Sequence, residues 1–149
     1  MNFQVTTFNR TTLLYFLENL SAEQLVAIPK GFKNNIIWNI AHILITEQML
    51  TYGLSGLTLK VDKKFVKMYG KGSLPSDKIS KETIEEIKEQ LIPAAKQTKI
   101  DYENGVFKNF KEYLTSTGIA LKNIDDAITF NTFHEGIHFG VILAIKKIV

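Results

Sequence analysis

The stretch "IIWNIAHILITEQMLTYG", residues 36–53, decides how this chain can fold. Ile36, Ile37, Ile40, Ala41, Ile43, Leu44, Ile45, Met49 and Leu50 place apolar side chains nearly all round a helix. A helix of that kind needs neighbours on most of its sides. Asn39, His42, Glu47 and Gln48 carry too much polarity for a membrane span of about twenty residues. The segment therefore reads as a core helix of a bundle. Asn34 or Asn35 opens it, because an Asn side chain accepts from the free amides of the first turn, and Gly53 and Gly56 stop it.

Upstream, residues 8–20 set Leu13, Phe16, Leu17 and Leu20 at three- and four-residue intervals, one apolar stripe along a helix. Ser21 and Gln24 in "SAEQ" fit a capping box that starts a short second piece, ended by Pro29. Downstream of Gly53 the chain runs to Ser80 through several glycines, Pro75 and many lysines without a sustained period. This reads as a long irregular crossing with one short helical turn near "DKKFVKMY". Ser80 then caps a third long helix in which Glu82, Glu85 and Glu86 lie near the positive end, and Pro93 is expected to bend or divide it. Residues 105–120 form a second connection, with a short turn expected around "FKNFKEYL". Asn123 opens the last helix, with Asp125 and Asp126 in its first turn and Lys146 and Lys147 near its end. Four long helices, no alternating strand and a long crossover between helices 2 and 3 predict an all-α four-helix bundle, a single domain over 1–149.

The chain's 149 residues suffice for one substantial core, and 45% apolar with 22% charged residues is the balance of a globular protein. Cysteine is absent, which excludes disulfides, thiolate ligands and a cysteine nucleophile. A transition metal must then be held by imidazole or carboxylate. The net charge of +3 is too mild to mark a nucleic-acid binder, and Lys60, Lys63, Lys64, Lys67, Lys71 and Lys78 gather in the crossing without a recognition motif, as a solvated connection does. The first residues, "MNFQVTTFNR", lack the basic start and apolar run of a secretory signal, so a cytoplasmic location is expected.

The chain has three histidines. In "FHEGIHFG", residues 133–140, His134 and His138 are four apart, about 40° round a helix and about 6 Å along it, and can share one ion. Ile124, Ala127, Ile128, Asn131 and Val141 fall on or near the same face, so the pair looks inward. His42 sits in the other strongly apolar helix. If the two helices are neighbours, three imidazoles meet, and three nitrogen ligands with an open position is the arrangement of a catalytic divalent-metal site. Nickel, zinc and ferrous iron all suit imidazole. "HEGIH" also satisfies the zinc-protease pattern, but no His, Asp or Glu follows His138 to serve as third ligand and no edge strand is in view to hold a peptide. Glu135 remains a candidate base or a group that supports a ligand from behind, or, lying about 100° round from His134, a surface charge. Asn131, Asn39 and Thr46, each one turn from a histidine, are candidates to hydrogen-bond the rings.

"NNIIWNIAHILITEQML" (34–50) followed far downstream by "FNTFHEGIHFGVILAIKK" (130–147), with "LENLSAEQLVAIPKGFKNN" (17–35) before them, resembles the DinB-like family, which includes the bacillithiol transferase type. The resemblance implies a four-helix bundle in up, down, down, up order, with a divalent metal at His42, His134 and His138. It also implies a chemistry in which the metal presents the thiolate of a low-molecular-weight thiol to an electrophile. The family often ends its last motif in "HxGQ"; here "HFGV" puts Val141 at that position, removing one amide that could orient substrate. Two functions follow. One is a metal-dependent transferase, or a hydrolase, acting on a small molecule such as a thiol, with no nucleic-acid or membrane partner. The other is a non-catalytic bundle whose metal stabilises the fold or whose surface makes a homodimer. A pocket above the histidines favours the first, a closed site the second.

Overall fold

The computed structural model describes residues 1–149 and is mostly helical. Helix α1 spans Gln4–Asn19, starting a turn earlier than its apolar stripe indicates. The short α2, Ala22–Val26, carries the expected capping box: the Gln24 amide donates to Ser21 Oγ at 3.2 Å, and the Ser21 amide donates to Gln24 Oε1 at 3.0 Å. Helix α3, Ile36–Gln48, is capped by Asn35, whose Oδ1 accepts from the Trp38 amide, and it runs on as a π-helical turn over Met49–Gly53. Of its thirteen residues twelve are buried, as the apolar sequence requires; the thirteenth, Thr46, opens onto a cavity.

The crossing contains one short helix, α4 at Lys63–Tyr69, capped by Asp62. Helix α5, Lys81–Glu103, is capped by Ser80 and runs unbroken through Pro93. Division was expected there. Pro93 is exposed, so the carbonyl it leaves unpaired on the preceding turn meets water, while buried Leu91, Ala94 and Ala95 hold both sides of it against the bundle. Helix α6, Ile124–Lys146, is capped by Asn123 through the Asp126 amide.

The second connection departs from the all-α expectation. It forms a small antiparallel hairpin, β1 Tyr113–Leu114 and β2 Ala120–Leu121, with Tyr113 opposite Leu121 and Leu114 opposite Ala120. The cause is the "TSTG" turn: Gly118 takes a φ of +84°, open to glycine at no steric cost, and closes a three-residue loop in which the Thr115 amide reaches the Ile119 carbonyl. The Lys111 amide donates to the Leu54 carbonyl, pinning this connection against the end of the π turn.

Helix α3 packs on α6 and α1 on α5, with α1 also against α6. One apolar cluster, built around Leu13, Leu25, Ile36, Ile40, Ile43, Ile87, Leu91, Ile142 and Ile145, joins all four long helices. No helix is long and apolar enough to cross a membrane.

Candidate metal centre

The packing of α3 on α6 brings His42, His134 and His138 together. One nitrogen from each lies within 4.8 Å of the others, and the ring centroids are 4.5 to 5.2 Å apart. Hydrogen bonds fix which nitrogen two of the rings present. His42 Nδ1 lies 2.7 Å from the Tyr69 carbonyl at the end of α4, and a carbonyl only accepts, so Nδ1 carries the proton and Nε2 keeps its lone pair. His138 Nδ1 lies 2.7 Å from Asn39 Oδ1, and the Asn39 amide is oriented by its own Nδ2 donating to the Asn35 carbonyl at 2.7 Å. His138 Nε2 is therefore also free. It faces His134 Nε2 at 3.1 Å.

Two nitrogens bound to one ion at about 2.1 Å lie about 3.0 to 3.4 Å apart for bond angles between square and tetrahedral, so this spacing suits a shared cation. The Nδ1–H donors beneath the two rings are the supports that metal-ligating histidines have. His134 Nδ1 is buried without a partner. Of the three candidate supports, Asn39 holds a ring, Thr46 Oγ lies 3.2 Å from His42 Nε2, and Asn131 turns instead to Glu135. Sequence reasoning missed the aromatic bracing. Trp38 stacks on His42 at 4.5 Å and 11°, and Phe130 lies 6.3 Å from His134, each one turn before its histidine. That i, i+4 spacing was the available signal.

Burial is the main cause that pushes His134 down to about 3 and His138 to about 4, with the neighbouring imidazoles adding to it; His42 is also lowered by burial, against its bond to the Tyr69 carbonyl. The rings are thus neutral and able to ligate near pH 7. The sign for stability follows. Between the folded values and the ordinary imidazole value of 6.5, the unfolded chain binds more protons, so the metal-free protein loses stability as pH falls through that window. Urea midpoints of the metal-free protein should drop between about pH 7 and about pH 5. A His134→Gln, His138→Gln double variant should lose most of that slope; an unchanged slope would put the proton uptake elsewhere.

Glu135 is not a surface charge. It is fully buried, and it does not line the cavity onto which the histidines open. Its Oε1 accepts from Arg10 Nη2 at 2.6 Å and Asn131 Nδ2 at 2.9 Å, and its Oε2 accepts from Asn9 Nδ2 at 3.3 Å. Both oxygens are engaged, which corrects its candidacy as a base: it cannot reach a ligand in the cavity. The same Arg10 Nη2 donates to Glu47 Oε2 at 2.6 Å. Burial works to lower the Arg10 pKa, but Glu135 and Glu47 outweigh it and hold it above its ordinary value. One guanidinium does not neutralise two acids. Burial pushes the Glu47 carboxyl up, and Arg10 only partly opposes this.

The histidines open into a cavity of about 610 Å³. Ile45, Thr46, Met49 and Leu50 of α3 and the π turn form one wall, Phe130 and Ile137 of α6 another, and Tyr113 with Thr115, Ser116 and Thr117 of the hairpin a third. Lys71, from the crossing, is the only charged side chain on the lining, and it has no carboxylate partner.

Residues 6–142 match the DinB superfamily, a span that includes all three histidines and most of every helix. The chain belongs to the DinB superfamily. No curated protein matches the sequence.

Proposed function

We propose that this protein is a metal-dependent enzyme, a transferase of the thiol S-transferase type or a hydrolase, in which His42, His134 and His138 hold one divalent cation. The observation that carries the reading is the cavity of about 610 Å³ at the histidines. A metal that only braces a fold is generally closed off by four protein ligands. The donor set suits nickel, zinc or ferrous iron. When bound, such a cation stabilises the anion of a thiol or of water and so supplies a nucleophile near neutral pH.

The chain's own part is positional. The Tyr69 carbonyl, the Asn39 amide and the Trp38 face hold two of the rings in place. Ile45, Leu50, Leu54 and Phe130 offer an apolar wall to the body of a small substrate and keep bulk water off it. With one free ammonium on the lining and no acid, the cavity favours a substrate that carries an anionic group. Thr46, which lines the cavity beside His42, is placed to orient a thiol or a water molecule. A low-molecular-weight thiol fits this reading, and so does a reducing cytoplasmic setting. The up, down, down, up order implied by the family resemblance is supported by the pairing of Arg10 with Glu135 and of Phe16 with Phe139, which match the first and last helices in the same direction.

A non-catalytic bundle is the second reading, and Val141 favours it. Its side chain packs against the core, so the amide that the resemblance implies is missing. The two readings separate in one assay. Tag-free protein loaded with nickel, zinc or ferrous iron is offered small thiols with monobromobimane as electrophile, and separately a nitrophenyl ester. We expect turnover at least about tenfold above the metal-free protein for one of the two. Equal rates for the loaded protein and its His138→Ala variant across the panel would leave only the second reading.

A further inference from the structure

We infer, resting on the reading of the three histidines as one cation site, that His134 changes tautomer when the cation binds and that Asn131 then holds it. Two polar atoms on α6 are enclosed without a partner, Nδ1 of His134 and Oδ1 of Asn131. They belong to residues three apart, which are neighbours on one face of a helix. Buried polar atoms are nearly always paired, so two orphans side by side call for a reason.

The reason lies in where the protons sit. A buried imidazole at about pH 7 is neutral and carries a single proton. His138 keeps its own on Nδ1, which donates to Asn39 Oδ1, so its Nε2 can only accept. His134 Nε2 lies 3.1 Å from that lone pair and is therefore the donor. With no cation present, the one proton of His134 is thus on Nε2, and its Nδ1 is a bare acceptor. Asn131 Oδ1 is an acceptor as well, and two acceptors do not bond. Thr46 Oγ covers the third ring in the same way, 3.2 Å from His42 Nε2. The lone pairs that His42 and His138 would offer a cation are both closed from within the site.

His134 can ligate through Nε2 only with its proton on Nδ1. That nitrogen then becomes a buried donor, and Asn131 Oδ1 is the unused acceptor beside it. The Asn131 amide is already oriented, because its Nδ2 donates to Glu135 Oε1 at 2.9 Å. The same construction stands behind His138, where Asn39 donates through Nδ2 to the Asn35 carbonyl and turns Oδ1 to the ring. Phe130 braces only the face of His134 and offers nothing to an in-plane N–H. Glu135 Oε1 also accepts from Arg10 Nη2 at 2.6 Å, so the completed line runs from the ring through Asn131 to the buried guanidinium. The acid that cannot reach the cavity steadies a ligand from the other side.

The test is long-range proton–nitrogen correlation on the isotope-labelled full chain at about pH 7, metal-free and with zinc alone. Metal-free protein is expected to show His42 and His138 protonated on Nδ1 and His134 on Nε2. Zinc should move only the His134 proton, to Nδ1, and the new N–H should resist exchange with water in wild type but not in Asn131→Ala. Zinc affinity of that variant, read by chelator competition, should fall about 10–100-fold. Glu135 keeps its bonds to Arg10 and Asn9 in the variant, so helical circular dichroism should be unchanged. A metal-free His134 already protonated on Nδ1, or zinc bound with His134 indifferent to Asn131→Ala, would overturn this inference alone. Failure to take up zinc would overturn the cation site with it.

Discussion

Replacing His138 with alanine is expected to weaken the binding of nickel or zinc by well over about a hundredfold, since even supporting groups behind a metal ligand are worth 10–100-fold. Three nitrogens converge, and none of the lining residues is an acid able to take the vacated place. His138 is half-buried rather than a core residue, so the variant should keep its helical content. Asn39→Ala supplies the graded control. It leaves Nε2 of His138 without a substitution of its own and removes the oxygen that accepts from Nδ1, together with the Nδ2 that donates to the Asn35 carbonyl, so its loss should fall within that 10–100-fold range. Chelator competition on tag-free protein reads both. Wild-type affinity in His138→Ala, or a wild type that takes up neither metal, would remove the metal from the account of this protein.

Arg10→Met is expected to destabilise the fold by about 3–5 kcal/mol, a large share of the 5–15 kcal/mol that holds a typical domain together. The guanidinium is wholly enclosed, and its Nη2 bridges Glu47 and Glu135 while Nε and Nη1 have no partner. Taking the cation away strands two acids in the interior. They must either stay charged without compensation or take up protons, and both routes cost stability at neutral pH. Adding Glu47→Leu and Glu135→Leu to Arg10→Met should restore most of what was lost, because a buried ionic group replaced as a whole by apolar side chains is often neutral or better. Urea unfolding of the single and triple variants measures this. A single variant within about 1 kcal/mol of wild type would mean that water reaches the cluster and screens it.

How far each feature could be read depended on where its determining contacts lie. The caps at Ser21, Asn35, Ser80 and Asn123 and the buried period of α3 are local, and they stand where the residues indicate. The histidine cluster was legible because its spacing within α6 is local and only the neighbourhood of α3 had to be supposed. Arg10 was not legible. Among threonines and leucines it looks like any solvated cation, and its partners lie 37 and 125 residues away. Glu135 shows the same limit from the other end: helical geometry turned it away from the cavity, but whether solvent or α1 waited on that side is a tertiary matter. The hairpin was not legible because "FKNFKEYL" shows no alternating strand period, and the turn that makes the strands pair lies further on, at Thr115 to Gly118.

The bond between Arg10 and Glu135 also bears on how the polypeptide is made. While the ribosome is still adding residues, α1 has emerged carrying a cation whose second counter-ion does not yet exist, and burying it early would be unfavourable. The first helix is thereby discouraged from settling on α3 and α5 before the last one arrives. Closure of the core is deferred until α6 is made, when Glu135 completes the ion cluster and His134 and His138 join His42 within the same few residues of growth.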